Sequence, residues 1–324
     1  MKILVLGAAG MIGRKLIDRL LVDGTLRGEA ITALHAFDIM EAPRDATGSI
    51  AFSTSAGDIA DKATVDALIE PRPDIVFHFA AIVSGEAEAD FEKGYRINFD
   101  GTRHLFDAIV ERDGYVPRVV YASSIAVFGA PFPDTIDDGF HLTPLTSYGT
   151  QKAIGEMLLA DYTRRGMMDG IGLRFPTIVV RPGKPNAAAS GFFSNIIREP
   201  LVGQDAVLPV SRDVMHWLAS PRSAIGFAIH AAEIDGDVVG PRRNLTLPGL
   251  AITVGEMIEG LERVAGPQAV AHIKEISDET IEGIVANWPR RFDAQRAEGL
   301  GFVAEKSFDD VVRAHIEDEL GGTV

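Results

Sequence analysis

Apolar, strand-like segments alternate with amphipathic, helix-like segments through the first half of the chain. The strand-like segments are almost continuously apolar, as expected of strands that are buried on both faces of a sheet. Parallel strands need right-handed crossovers, which place the helices on both faces. The pattern predicts an α/β fold with a doubly wound parallel sheet. The predicted strands are 2–6, 31–37, 51–55, 74–79, 118–123 and 171–175, and the predicted helices are 11–23, 61–70, 88–112 and 147–166.

The rhythm changes after about residue 176, and we expect a domain boundary there. Residues 181–191 collect Pro, Gly and small side chains in a loop that is long for a plain connection, and such loops are often binding elements. Residues 200–221 are also predicted to be irregular. Helices are predicted again at 254–265 and 308–320. The predicted units are residues 1–176 and a smaller C-terminal α/β region over 177–324, with interleaving of the two as an alternative.

The charge and the absence of cysteine exclude several function classes. The 324 residues include 46 acidic and 31 basic ones, for a net charge of -15, without a dense Lys/Arg cluster. Such a chain repels nucleic acid phosphates and anionic membrane surfaces. Zero cysteines exclude disulfides, thiolate metal sites and cysteine nucleophiles. No apolar run is long enough for a membrane span. We expect a soluble, cytoplasmic protein that binds no nucleic acid, membrane or metal.

Gly7, Gly10 and Gly13 lie between the first predicted strand and the first predicted helix. Glycine permits a tight turn and a close approach of the backbone to a pyrophosphate, which the helix N-terminus then binds. Met11 and Ile12 belong to the same turn and are assigned to the same site. An ordinary strand-to-helix turn is the alternative, because three spaced glycines alone are a weak signal.

Asp38 ends the second predicted strand, 25 residues after Gly13. A carboxylate at this place can accept hydrogen bonds from both hydroxyls of an adenosine ribose, and it would repel a 2′-phosphate. The position therefore favours NAD over NADP. The alternative is a turn residue at the end of a strand.

Tyr148 and Lys152 are four residues apart in a predicted helix, so their side chains share one face. A nearby ammonium favours ionisation of the phenol, whose ordinary pKa of about 10 makes it a poor base at neutral pH. Ser124 follows a predicted strand at the carboxyl edge of the sheet, where open α/β folds bind ligands. The three residues predict a base, its activator and an orienting hydroxyl for the oxidation of an alcohol. The alternative is that none of them has a catalytic role.

These motifs together resemble the extended short-chain dehydrogenases, a family that also includes nucleotide-sugar epimerases and dehydratases. The resemblance spans about half the chain. The motifs that carry it are, in order, Gly7-x-x-Gly10-x-x-Gly13, Asp38, Asp58-Ile59, Phe79-Ala80-Ala81, Asn98, Ser124-Ile125-Ala126-Val127-Phe128-Gly129, Tyr148-x-x-x-Lys152 and Arg174-Phe175-Pro176.

The resemblance implies a Rossmann-type domain over residues 1–176 that binds NAD, and a region over 177–324 that mainly binds the substrate. Asp58 and Ile59 are expected near the adenine, Ala80 along the dinucleotide, and Asn98 as a helper in the site. The implied catalytic residues are Ser124, Tyr148 and Lys152. The implied cofactor residues are Gly7, Gly10, Met11, Ile12, Gly13, Asp38, Asp58, Ile59, Ala80, Ala81, Asn98, Tyr148, Lys152 and Pro176.

The string over residues 174–193 resembles a subgroup, the D-erythronate dehydrogenases, which oxidise a four-carbon sugar acid at C2 with NAD. A nucleotide-sugar epimerase or dehydratase is the first alternative, since Arg212-Asp213 matches a pair that is usual in those enzymes. A uronate dehydrogenase is the second alternative. A dinucleotide-sensing protein without activity is a third, but a sensor has no need of an activated base.

A small sugar acid needs a partner for its carboxylate and partners for its hydroxyls. Arg181, Arg212 and Arg222 are candidates for the carboxylate, because a guanidinium can bind one bidentately. His216 either bonds substrate hydroxyls or is a packed, satisfied histidine. The residues assigned to substrate binding are Ser124, Tyr148, Arg181, Asn186 and His216.

Related enzymes commonly form homodimers through two long helices, which here begin near residues 88 and 147. The resemblance therefore implies a homodimer. The residues that could serve the seam between the helices, or equally the core, are Phe99, Leu105, Leu158 and Leu159.

Overall fold

The computed structural model describes residues 1–42, 48–183 and 190–323. The chain forms two compact units. The first unit comprises Met1–Val127, Pro144–Arg174 and Ile225–Leu245, and the second comprises Phe128–Thr143, Phe175–Ala224 and Thr246–Val324. The strands are β1 Lys2–Leu6, β2 Thr25–Leu26, β3 Glu29–Ala30, β4 Ala33–Asp38, β5 Ala51–Ala56, β6 Ile75–His78, β7 Arg118–Ser124, β8 Asp169–Phe175, β9 Thr177–Ile178, β10 Ala206–Leu208, β11 Met215–Ala219, β12 Asn244–Thr246, β13 Leu250–Thr253 and β14 Ile273–Glu275.

Helices lie at five of the six predicted places, namely 11–23, 61–70, 147–166, 254–265 and 308–320, and the structure adds helices that the sequence does not predict, such as Gly191–Leu201 and Pro221–Glu233. A π-helix over Tyr95–Asp100 and a 3-10 turn over Ile125–Val127 complete the helical elements. The α-helices are α1 Met11–Asp23, α2 Lys62–Ile69, α3 Ser84–Ala89, α4 Phe91–Gly94, α5 Gly101–Val110, α6 Ser147–Arg164, α7 Gly191–Leu201, α8 Pro221–Glu233, α9 Gly236–Val239, α10 Val254–Ala265, α11 Pro267–Val270, α12 Glu279–Val285, α13 Gln295–Gly299 and α14 Phe308–Glu319.

A seven-stranded sheet with the order β12-β8-β7-β6-β1-β4-β5 organises the first unit. Strand β1 pairs in parallel with β4 and β6, and the pairs β4–β5 and β6–β7 are also parallel. All four residues of β6 are buried, which explains the apolar run Ile75–Phe77, and the buried His78 follows that run. The predicted doubly wound α/β fold is confirmed. Its order places the carboxyl ends of β1, β6 and β7 side by side.

The segment Ile225–Leu245 belongs to the first unit, although the boundary near residue 176 placed it in the C-terminal region. Arg118, fully buried at the start of β7, explains part of this assignment. Its guanidinium donates to the carbonyl oxygens of Ala231 at 3.0 Å and Ile234 at 2.7 Å. Strand β12 then adds the seventh strand beside β8. The two units therefore interleave along the sequence.

The prediction of one continuous helix over 88–112 is wrong. Asp90 begins a new helix, since its carboxylate accepts a hydrogen bond from an N–H of the following turn. The π-helix over Tyr95–Asp100 then inserts a wider turn, which directs the Asn98 amide toward the backbone of Ile82. Apolar periodicity does not register either change, and π-turns are frequent at functional sites.

The second unit contains the sheet β13-β11-β9 and the strand pair β10–β14. The prediction that residues 200–221 are irregular is wrong, because β10 and β11 lie there. Their partners β14 and β13 are distant in sequence, so no local pattern marks them. Helices α7, α10 and α14 contribute to one buried cluster, which includes Phe193, Met257 and Val311. The predicted helix over 254–265 is confirmed and begins with a capping box between Thr253 and Glu256.

No helix in residues 1–42, 48–183 or 190–323 is long and apolar enough to cross a membrane. Leu105 and Leu159 are fully buried in the core of the first unit. The core alternative therefore holds for these two leucines, whereas Phe99 and Leu158 are partly exposed.

Candidate functional site

The turn between β1 and α1 requires two of its three glycines for reasons that lie within the protein. Gly7 has a φ of 89°, and a Cβ there would lie 2.6 Å from the backbone nitrogen of Ala80. A Cβ at Gly13 would lie 2.2 Å from the carbonyl oxygen of Gly7. A Cβ at Gly10 would lie 3.3 Å from the nearest protein atom, the carbonyl oxygen of Gly7, so the protein itself restricts a side chain less at this position. The absent side chain at Gly10 leaves room for a close ligand.

Helix α1 begins directly after Gly10, with Met11 and Ile12 in its first turn. Its N-cap residue is Gly10, so no N-cap side chain accepts hydrogen bonds from the first N–H groups of the helix. Such a helix end binds a phosphate through its N–H groups and its dipole. The residues of this turn therefore fit the pyrophosphate of a dinucleotide, as the sequence predicts.

Asp38 lies beside this turn at the end of β4. Its carboxylate accepts hydrogen bonds from the backbone N–H of Ala9 at 2.8 Å and of Ile39 at 2.7 Å. The N–H groups of Gly7 and Ala8 donate to the carbonyl oxygen of Phe37. Ionised carboxylates offer about four acceptor sites, so two hydrogen bonds leave capacity for ribose hydroxyls.

Asp58 and Ile59 differ in what they can offer a cofactor. The Asp58 carboxylate accepts hydrogen bonds from the backbone N–H of Ala60 at 2.9 Å and from the half-exposed Arg96. The Ile59 side chain is buried in the core of the first unit. Any contact of Ile59 with an adenine would therefore involve its backbone. The Arg96–Asp58 ion pair carries no sequence signal, because the two residues are far apart in the chain.

Asn98 acts on the segment that follows β6. Its Oδ1 accepts from the Ile82 N–H at 2.9 Å, and its Nδ2 donates to the Ile82 carbonyl oxygen at 3.1 Å and to Gln151 Oε1 at 2.7 Å. The Asn98 side chain is almost completely buried. It therefore fixes the backbone just after Ala80 and Ala81, and any effect on a bound cofactor passes through that backbone.

Helix α6 carries two of the three predicted catalytic residues. It begins at Ser147, because the Thr146 side chain accepts a hydrogen bond from the N–H of Gly149. A Cβ at Gly149 would lie only 2.1 Å from the carbonyl oxygen of Ala126, just after β7. This close approach sets Tyr148 beside the end of the strand that carries Ser124.

Tyr148, Lys152 and Ser124 are brought together as predicted. The Lys152 Nζ lies 5.7 Å from the centroid of the Tyr148 ring. Burial raises the pKa of Tyr148 to about 12, and a hydrogen bond with the Ser124 side chain opposes this rise. Burial also lowers the pKa of Lys152 to about 7, and the charge of Glu156 opposes that fall. The arrangement can move a proton between a phenol and a substrate hydroxyl, with an ammonium that stabilises the phenolate.

Glu156 is a residue that the sequence reasoning missed. It is fully buried one helical turn after Lys152, accepts a hydrogen bond from Ser123 at 2.6 Å and forms an ion pair with Arg174 at 2.7 Å. Its sequence signal is a charged residue on the same helical face as Tyr148 and Lys152. This signal does not predict burial, because a glutamate in a helix is usually exposed.

The second unit presents Arg181 after a residue with an unusual backbone. Val180 is fully buried and has a φ of 57°, a conformation that β-branched residues avoid. His315 Nδ1 donates to the Val180 carbonyl oxygen at 3.1 Å, and the Arg181 N–H donates to Ser194 Oγ at 3.2 Å. Strained backbone of this kind is concentrated at ligand sites, where the surrounding structure holds it.

Arg181 has binding capacity that the two other candidate arginines lack. Its guanidinium donates to Ser190 Oγ at 3.3 Å and pairs with no carboxylate in the part of the chain that the structure describes. Burial lowers its pKa, and the nearby charge of Arg198 adds to this effect. By contrast, Arg212 and Arg222 form ion pairs with exposed carboxylates of their own unit. Arg181 is the arginine of the three that can accept an anion.

His216 is a packed residue with both ring nitrogens engaged. Its Nδ1 donates to the Pro289 carbonyl oxygen at 2.7 Å, and the Thr177 hydroxyl lies 2.7 Å from its Nε2. The ring stacks on Phe193 and contacts Trp288. Burial lowers the pKa of His216 to about 4. This geometry favours the second of the two alternatives, a satisfied core histidine.

Pro176 and Asn186 are the last two residues predicted to bind cofactor or substrate. Pro176 is buried and lies in the chain between β8 and β9. Asn186 lies outside the described residues, so its assignment to the substrate stays a prediction.

Among the residues that the structure describes, no group of His, Asp and Glu side chains could hold a metal ion.

A family model matches residues 3–218, two thirds of the chain, and its description is the NAD dependent epimerase/dehydratase family. The chain belongs to this family. Membership in the NAD-dependent epimerase/dehydratase family confirms the resemblance inferred from the motifs and the prediction of NAD as cofactor. The glycine turn, Asp38 and the Ala80 backbone all lie together in the first unit, which fits a dinucleotide.

Two curated members of this family match nearly the whole chain. D-erythronate dehydrogenase of Cupriavidus necator is 45% identical over 322 residues, 98% of both chains. D-erythronate dehydrogenase of Haemophilus influenzae is 39% identical over 322 residues, 99% of this chain and 100% of that protein.

Two solved structures of the same fold are also similar. A structure from Agrobacterium tumefaciens, described as a nucleoside-diphosphate-sugar epimerase, is 60% identical with a TM-score of 0.98, and the match covers 100% of this chain and 95% of that one. An L-threonine dehydrogenase of Cupriavidus necator is 19% identical with a TM-score of 0.85, over 98% of this chain and 99% of that one. At this lower identity the second likeness concerns the fold alone.

Proposed function

We propose that the chain is an NAD-dependent dehydrogenase that oxidises the C2 hydroxyl of D-erythronate, or of a close sugar acid, to the 2-oxo acid. The observation that carries this proposal is the extent of the similarity to D-erythronate dehydrogenases, 322 residues at 45% identity. The family model ends at residue 218, whereas this similarity continues through the C-terminal residues. Substrate choice within a shared fold depends on such residues beyond the common motifs.

In the proposed reaction Tyr148 Oη removes the proton of the substrate hydroxyl. Ser124 orients that hydroxyl, and Lys152 stabilises the phenolate and binds the nicotinamide ribose. The glycine turn and Asp38 would hold NAD, which would supply the acceptor for the hydride from C2. The hydrogen bond between the Ser124 and Tyr148 side chains supports these roles, because proton transfer needs groups within hydrogen-bond reach. The Lys152 Nζ lies 5.7 Å from the centroid of the Tyr148 ring.

A nucleotide-sugar epimerase is the second candidate, and the description of the Agrobacterium tumefaciens structure favours it. The same Tyr and Ser could oxidise a sugar whose hydride then returns, so no NADH would be released. Arg212 forms an ion pair with Glu275 at 2.6 Å. This ion pair weakens the argument for an epimerase from the Arg212-Asp213 motif, because the guanidinium of Arg212 already has a carboxylate partner.

Net formation of NADH distinguishes the two functions. The purified protein is mixed with NAD or NADP and a panel of aldonates, uronates and nucleotide sugars, and absorbance at the NADH band is followed. We expect NADH with D-erythronate or a related aldonate, and a preference for NAD over NADP because of Asp38. Conversion of a nucleotide sugar without NADH, and no signal from any acid, would overturn the proposal.

Arg181 is proposed as the ligand of the substrate carboxylate. Replacing Arg181 with Met is expected to raise the KM for D-erythronate about 10- to 100-fold, because a charge-assisted hydrogen bond contributes about 1.5–3 kcal/mol. The KM for NAD should stay unchanged. Initial rates at varied concentrations of each substrate measure both. Arg263→Met is the control, since Arg263 is a half-exposed arginine on α10 paired with Asp309. An unchanged KM for the acid in the Arg181 variant would contradict this role.

The homodimer and the cytoplasmic location stay predictions from the sequence. Phe99 and Leu158 remain candidates for the subunit seam, and the exposed side chains of Phe91 and Met157 lie on the neighbouring helices α4 and α6. Asn186 likewise stays a predicted substrate ligand, and for His216 the packed geometry speaks against that role.

A further inference from the structure

Glu156 is a buried carboxylate with strong hydrogen-bonding partners. It has no exposed surface, and Arg174 donates to it from Nε, at 2.9 and 3.1 Å, and from Nη2, at 2.7 Å. The Ser123 hydroxyl donates to Oε1 at 2.6 Å. A buried ion pair of this kind is often no more stabilising than an apolar replacement, so stability alone does not account for it.

The partners of Glu156 join the elements that carry the catalytic residues. Ser123 precedes Ser124 at the end of β7, and Arg174 lies near the end of β8. Asn244, beside these strands, donates to the Glu156 carbonyl oxygen at 3.1 Å. Glu156 therefore ties the helix of Tyr148 and Lys152 to the strand ends at the carboxyl edge of the sheet.

The ammonium of Lys152 is buried without a carboxylate in direct contact. Its side chain is 3% exposed, and no described carboxylate pairs with Nζ within ion-pair distance. The Nζ lies 5.0 Å from the centroid of the Tyr121 ring and 5.7 Å from that of Tyr148. A buried ammonium in this position is costly unless a negative charge lies nearby.

The titratable side chains that approach Lys152 from β6 and β7 are neutral. On β6, burial lowers the pKa of His78 to about 3, with the charge of Lys152 as a second cause, so His78 is neutral. On β7, burial raises the pKa of Tyr121 well above its usual range, so Tyr121 is also neutral. On α6 itself Tyr148 is a phenol and Glu156 is an anion, with Arg174 of β8 behind the Glu156 carboxylate. Glu156 therefore supplies the negative charge that favours the ammonium of Lys152.

We propose that Glu156 is a positioning residue for the dehydrogenase reaction: its carboxylate keeps Lys152 protonated and holds the catalytic helix against the strand end that carries Ser124. This inference rests on the proposed function, because it assigns Glu156 a task in that reaction. Glu156 touches neither substrate nor cofactor in this role.

Replacing Glu156 with Gln tests whether the carboxylate of Glu156 keeps Lys152 protonated. Tyr148 and Lys152 titrate as a coupled pair, and loss of a nearby negative charge makes each proton easier to remove. Both apparent pKa values should therefore fall, and the pH profile of kcat/KM should move to lower pH by on the order of one unit, the effect of one charge at an effective dielectric of about 20. Glu156→Asp, which keeps the charge, should restore the position of the profile.

The matched control is Asp169→Asn. Asp169 begins β8 and pairs with the buried Arg118 at 2.7 Å, so it is a carboxylate paired with a buried arginine at the opposite end of the same two strands. This variant should lose stability without any movement of the pH profile. An unchanged pH profile of kcat/KM in Glu156→Gln would show that Glu156 serves only as a partner in a buried ion pair, and it would overturn the proposal.

A double variant keeps the test valid if Glu156→Gln leaves Arg174 unpaired and the protein unfolds. Glu156→Gln with Arg174→Met removes both buried charges, which proteins often tolerate. Its profile should also move to lower pH, because Glu156, and not Arg174, is the charge that raises the pKa of Lys152. An unmoved profile in a folded double variant would again contradict the proposal.

A measurement without turnover separates this inference from the proposed function. The titration of Lys152 is followed by NMR on protein with 13C-labelled lysine, with the resonance assigned through Lys152→Met. We expect a lower pKa in Glu156→Gln than in the unmodified protein, even if another acid or sugar proves to be the substrate. Equal pKa values for Lys152 in the two proteins would overturn the inference whatever the substrate.

Discussion

Tyr148→Phe is expected to lower kcat for sugar-acid oxidation by about 10³-fold or more, while the affinity for NAD stays within about twofold. The substitution removes the single atom that accepts the substrate proton, and general base catalysis contributes about 10²–10⁴-fold. The ring and its packing against Lys152 remain. NADH formation gives kcat, and quenching of protein fluorescence on titration with NAD gives the affinity.

Tyr162→Phe is the control for this experiment. Tyr162 lies on the same helix α6, and its hydroxyl donates to Asp107 at 2.5 Å. Loss of that hydrogen bond should cost about 1 kcal/mol of stability and leave kcat essentially unchanged. Turnover by the Tyr148 variant at the unmodified rate would rule out the proposed base.

Gly149→Ala is expected to have the second large effect. A Cβ at this position would lie 2.1 Å from the carbonyl oxygen of Ala126 and 3.0 Å from Pro144 Cβ. Since the first of these atoms belongs to the backbone, helix α6 must move away from β7 together with Tyr148. We expect a loss of about 1–3 kcal/mol in the free energy of unfolding and a fall of about 10²-fold in kcat, because misplacement by about 1 Å is enough for such a loss.

The same substitution at Gly226 is the matched control. Gly226 lies within helix α8, and a Cβ there would meet no atom within 4 Å. Alanine should stabilise this helix by about 0.5–1 kcal/mol and leave kcat unchanged. Urea denaturation and NADH formation measure the two quantities for both variants. A Gly149 variant as stable and active as the unmodified protein would show that the approach of α6 to β7 is not required.

The parts of the fold that could be predicted depend on contacts between near neighbours in sequence. Apolar runs sufficed for the strands β1, β4, β5, β6, β7 and β8, and helical spacing sufficed for Tyr148 and Lys152, which are one helical turn apart. Strand β12 was missed, because only the folded chain brings it beside β8. The breaks within 88–112 were missed because they depend on the Asp90 side chain and a π-turn. Strands β10 and β11 were missed because their partners lie more than 30 residues away.

The residues of the candidate site also fall into those that the sequence predicts and those that only the folded chain shows. The sequence predicts Ser124 at the site because strand ends meet at one edge of a parallel sheet. The partner of Glu156 is on a different strand, so only the folded chain shows why a carboxylate is buried there. The three candidate arginines look alike in sequence, and their ranking followed from which of them already binds a carboxylate. His216 likewise could not be resolved without its two hydrogen-bond partners.

The carboxylate of Asp38 has a double task that restricts how the protein can change. It is the group assigned to choose between the two dinucleotides, and it also anchors the glycine turn by accepting the N–H of Ala9. A substitution that admits a 2′-phosphate therefore also loosens the loop that must hold the pyrophosphate. A change of cofactor preference in this chain therefore needs a second mutation that again holds the N–H of Ala9. A single mutation at Asp38 is not enough to replace NAD by NADP without weakening the glycine turn.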